Sequence, residues 1–109
     1  MKTNYKFGEV NTLAGGIEAS AERVQFKEIF ETGHGGVVLL AFKKGQKLDT
    51  HLAPAEVMVT VLEGEIEFTM LDKSHTIKRG EFLLMGADVP HSVTAVTDAK
   101  VMLVKIKPD

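Results

Sequence analysis

The stretch VMVTVLEGEIEFTM, residues 57–70, decides the fold. Residues 57–62 form a run of strand length rich in β-branched side chains. Glu63-Gly64 breaks it. Residues 65–70 then alternate strictly, which sets Ile66, Phe68 and Met70 on one face. The same period of two gives Val57, Val59 and Val61 a shared face. Both faces are read as barrel lining, with ordinary core as the alternative.

Outward from this pair, the same rhythm continues. Val24, Phe26 and, less cleanly, Phe30 alternate with polar residues. Residues 33–36 read as a loop containing His34, residues 37–42 as an apolar strand, and residues 43–46 as a turn. On the other side, residues 72–74 read as a polar hairpin tip that places His75 at the surface. Residues 76–78 are short, 82–85 apolar, 86–90 a loop, 93–96 a strand and 101–106 the last strand. These seven or eight short strands, with turn signals every 8 to 12 residues, predict an all-β fold. An antiparallel double-sheet jelly-roll barrel limits exposed edges. Residues 1–22 are polar and read as an N-terminal arm lying on the barrel or on a partner. That arm has weak strand character at residues 5–10 and a short helical turn at 18–22. Residues 23–109 form the barrel domain.

Composition narrows the function. A chain of 109 residues suits one domain with a modest core. With 44% hydrophobic and 26% charged residues it lies in the globular range, away from disorder. Thirteen basic residues against fifteen acidic ones, scattered along the chain, leave no basic face for nucleic acid. The absence of cysteine excludes disulfides, zinc–thiolate sites and a thiol nucleophile. No secretory leader or membrane-length apolar run is visible, so no membrane partner is expected and the cytoplasm is the expected location. No phosphate loop or nucleophile elbow occurs. The lack of Trp and the single Tyr argue against a carbohydrate platform.

Two histidines have informative surroundings. His51 follows Gly45 by six positions and opens HLAPAEV, residues 51–57. His91 ends GEFLLMGADVPH, residues 80–91. Each sits at a loop-to-strand boundary, where a barrel mouth joins polar groups to an apolar pocket. Together these stretches resemble the paired motifs of the cupin family over residues 45–95. VLEGE at 61–65 and VPHS at 89–92 carry the strongest likeness.

The resemblance implies a cupin barrel with His51 and His91 as the first and last ligands of a divalent transition metal (Fe, Mn, Ni or Zn). Two ligand positions depart from the pattern, because Ala53 and Val57 stand where the family usually sets donors. Glu56 lies one residue early. A one-residue shift along a strand points it to the other face unless the turn at Pro54 re-aims it. Its alternative is a solvated carboxylate. For the histidines, the alternative is a pair hydrogen-bonded to each other without metal.

Val57, Val59, Phe68 and Met85 are expected to line the pocket, and Met58 and Met102 to help shape it. Such a pocket suits a small, largely apolar or carboxylated molecule. One functional reading is a small-molecule-binding barrel with a degenerate metal site. The alternative is a metal-dependent dioxygenase, isomerase or lyase using His51 and His91. The resemblance also implies a homodimer, and the apolar residues on both faces of 37–42 and 101–106 support it.

Overall fold

The computed structural model describes residues 1–108. Nine strands follow in chain order: β1 (Gln25–Thr32), β2 (Gly35–Phe42), β3 (Lys47–His51), β4 (Glu56–Glu63), β5 (Glu65–Met70), β6 (Lys73–Lys78), β7 (Phe82–Met85), β8 (His91–Ala95) and β9 (Ala99–Ile106). They form a five-stranded sheet, β1-β2-β9-β4-β7, and a four-stranded sheet, β3-β8-β5-β6. Every pairing is antiparallel. This is an antiparallel double-sheet jelly-roll barrel.

The alternation at 57–70 drives the two sheets together. Val57, Val59 and Val61 from one sheet and Ile66 and Phe68 from the other are at most 4% exposed and share one core. Each such side chain, withdrawn from water, contributes about 1.5–3 kcal/mol before chain entropy is charged against it. Gly64 makes the crossing between sheets. Its φ is 80°, and a Cβ there would collide with the Asp98 carbonyl oxygen, so only glycine fits.

Several expectations need correction. Gly35 and Gly36 belong to β2 rather than to the loop expected over 33–36. A Cβ on Gly35 would strike the Lys105 carbonyl oxygen, so the glycine lets β2 and β9 approach. The hairpin tip is Leu71-Asp72, not 72–74. Both residues have positive φ, 51° and 59°, between the paired Met70 and Lys73, as a two-residue hairpin turn requires. His75 is half-buried rather than at the surface, because pairing with Phe68 turns it inward. Strand β3 was not anticipated at all.

Residues ahead of β1 carry neither the strand expected at 5–10 nor the helical turn at 18–22. They hold a 3-10 turn at Ala14–Gly16 and a single bridge, Lys2 to Glu31. Ile17 packs on Leu39 and Ala41 of β2, on the outer face of the five-stranded sheet. Lys27 Nζ donates to the Gly16 carbonyl at 2.9 Å and Lys100 Nζ to that of Ala14 at 2.6 Å. Two sheet lysines thus satisfy carbonyls that have no ladder partner.

Candidate functional site

Between the sheets lies a cavity of about 180 Å³. Its floor is hydrocarbon, and Val57, Val59, Phe68 and Met85 all border it. Met58 and Met102 do not. Alternation along β4 and β9 turns both to the outer face, where Met102 packs near Leu39. Two imidazoles border it, His51 at the end of β3 and His91 at the start of β8.

A β-bulge brings them together. Leu48 pairs with Val93, yet His51, not Thr50, pairs with His91. One extra residue in β3 therefore shifts the phase of the strand, and the inward position passes from Thr50 to His51. On β8 no device is needed, since His91, Val93 and Ala95 alternate inward in regular register. The ring centroids are 4.1 Å apart and tilted by 59°. His91 also stacks on Phe68 at 5.5 Å, 16° from coplanar. The backbone amide of Asp88 donates to the Ala53 carbonyl at 2.9 Å, tying the segment after His51 to the loop before His91.

The two rings do not satisfy each other. His51 Nδ1 lies 2.8 Å from the Asp49 carbonyl oxygen and His91 Nδ1 2.9 Å from that of Val89. A carbonyl can only accept, so each Nδ1 carries the proton and donates. Each Nε2 of the neutral ring is left with a lone pair. Burial holds the His91 imidazole below the ordinary histidine range. Its bond to Val89 opposes that shift, and the charges of His51 and Lys105 add to it. His91 is 7% exposed, while His51 is exposed.

Glu56 is exposed and does not border the cavity. It follows the plain alternation of β4, opposite in sense to Val57, and the turn at Pro54 does not re-aim it. Ala53 and Val57, by contrast, both border the cavity. Sequence reasoning missed Lys105, which lines the cavity from β9. The signal was present: Val101, Leu103 and Lys105 share one face by the period of two.

A family model for the cupin domain matches residues 38–107. The chain is a cupin. Its fold aligns over 100% of its length with 97% of a conserved protein of unknown function from Streptococcus pyogenes, at 25% identity and a TM-score of 0.89. An RmlC-like cupin protein from Desulfovibrio desulfuricans shares 30% identity over 100% of this chain and 99% of that one, with a TM-score of 0.74. A cupin 2 conserved barrel domain protein from Leptotrichia buccalis shares 32% identity at a TM-score of 0.83. This cupin covers 46% of that chain, with 87% of its own length aligned. No protein of curated function matches.

The donor set of this cupin does not fit a tightly held metal. Among the described residues no three His, Cys, Asp or Glu side chains converge. A zinc, iron or manganese centre generally requires three or more N/O ligands from the protein. Here two imidazoles converge, Glu56 is on the far face, and Ala53 and Val57 offer hydrocarbon.

Proposed function

We propose that this cupin is a small-molecule-binding barrel that works without a resident catalytic metal. The observation that carries the reading is the cavity wall itself. It is apolar except for two imidazoles with free Nε2 lone pairs and one lysine, a lining suited to holding a small organic molecule in a fixed orientation.

The test is metal content beside ligand-dependent melting. Protein purified without a histidine tag is expected to carry far less than one Fe, Mn, Ni, Zn or Cu per chain, with no further loss in His51→Ala or His91→Ala. A small apolar ligand at a hundred times its Kd should stabilise the fold by about 2.7 kcal/mol and raise Tm accordingly. Near-stoichiometric metal that disappears in both variants would overturn the reading in favour of a metalloenzyme.

We also propose a homodimer. On the outer face of the five-stranded sheet Val104, Met58 and Leu84 line up across three strands, as do Met102, Thr60 and Phe82. Phe82 and Leu84 are 58% and 67% exposed in the single chain. Such an apolar row calls for cover. Light scattering at tens of micromolar should give twice the chain mass, and a mass equal to one chain would defeat this proposal.

A further inference from the structure

The cavity has a cation at its mouth and, among the described residues, no counter-charge inside. Val101 and Leu103 close the apolar wall from β9, and Lys105 continues the same inward row. Lys105 is exposed as well as cavity-lining, so its ammonium belongs at the mouth and not on the floor. Among the described residues it makes no ion pair. Among the described residues no Asp or Glu borders this cavity, although Glu28 and Glu31 lie with Lys105 and Lys107 along the adjoining groove.

Its cross-strand partner is Val57. Directly opposed residues have Cβ atoms roughly 5 Å apart. The place where the motif resemblance expects an electron-pair donor therefore holds a valine, paired across the ladder with the residue that carries the mouth's ammonium. A positive charge at the mouth opposes entry of a divalent cation and attracts an anion.

The imidazoles set a second condition. Each Nδ1–H is already bonded to the carbonyl two residues upstream, so the Nε2 atoms can only accept while the rings are neutral. A bare carboxylate turned toward them would meet lone pair with lone pair. A hydroxyl would donate to them. Size sets a third condition. A cavity near 150 Å³ takes benzene. The 180 Å³ here adds room for small substituents and little more.

We infer that the cavity binds a small hydroxy acid: the carboxylate at Lys105, the hydroxyl donating to Nε2 of His51 or His91, and a hydrocarbon body of about six carbons on the apolar floor. This rests on the ligand-binding reading above and names the class of ligand.

Calorimetric titration of the full chain at pH 7.5 tests it. The probes are the three hydroxybenzoate isomers, 2-hydroxy-4-methylpentanoate, benzoate, the hydroxybenzamides and phenol. One hydroxy acid is expected to bind about tenfold tighter than benzoate and than the matching amide, the scale of a hydrogen bond involving a charged group. Whether that acid is an aromatic isomer or the branched aliphatic one identifies the source of the hydrocarbon body. Lys105→Met should abolish the preference for acid over amide, and Lys105→Arg should restore most of it. Phenol and the amides binding as tightly as the acids, with no effect of Lys105→Met, would overturn the hydroxy-acid inference and leave the binding barrel standing. If no probe binds, phenol included, both readings fall.

Discussion

Strands β3 and β8 lie side by side and each presents one histidine to the same cavity, yet they do so by opposite means. β8 is an interior strand between β3 and β5, and His91 falls inward by plain alternation. β3 is an edge strand with one half-buried residue, Leu48, and needs a bulge to turn His51 inward. Both imidazoles make the same bond to the carbonyl two residues upstream. Their surroundings differ: His91 is buried against Phe68, and His51 is exposed. The difference teaches that a matched pair of polar atoms does not mean matched energetic roles. One ring belongs to the core and the other to the rim.

The sharpest way to break this comparison is truncation of the buried ring. His91→Ala empties volume over Phe68 and leaves the Val89 carbonyl without its donor. It should cost about 2–3 kcal/mol of unfolding free energy in urea titrations. A loss equal to that of His51→Ala would show the two sites to be equivalent. Next in size is a gain. Val57 borders the cavity near the rim, so Val57→His would supply a third imidazole. Nickel affinity should rise by about tenfold or more over the wild type, read by calorimetry. Lys105→Met in that background should raise it further by removing the competing charge. No change in either variant would mean that position 57 does not reach the pair.

The pH dependence separates the rings more finely. The folded-state pKa of His91 is depressed, so the unfolded chain takes up its proton first as pH falls. The stability contributed by the neutral ring is therefore full above about pH 6.5, the unfolded value, and is lost as pH drops below it toward the folded pKa. His91→Gln should flatten this part of the stability profile, while His51→Gln, which removes only the smaller contribution of the His51 charge, should change it less. An unaltered slope in His91→Gln would assign the acid sensitivity elsewhere. Smallest of all, His51→Ala should change stability by less than about 0.5 kcal/mol, as expected for an exposed side chain. A larger cost would promote His51 from rim to core.

Legibility in the sequence follows the same division. Val57, Val59 and Phe68 could be placed because each sits in an apolar segment whose alternation states which way it points, and His91 because its motif set it at a loop-to-strand boundary. Strand β3 could not. Lys47, Asp49 and Thr50 are polar because an edge strand is half in water, and a polar segment with one leucine looks like a loop. Lys105 fell within the strand expected at 101–106 but was not singled out, being a lone charged residue in an apolar run. Its phase with Val101 and Leu103 was the better guide.

The sequence by itself determined the strand rhythm, the two apolar faces of residues 57–70, the break at Glu63-Gly64 and the loss of ligating side chains at positions 53 and 57. These are local properties, written in the period of two and in side-chain chemistry. The tertiary structure alone decided that β3 exists, that its bulge turns His51 toward His91, and that Lys105 stands beside Val57. Each of these depends on which strand lies next to which and in what register, and register is set by the packing of both sheets at once rather than by any one segment.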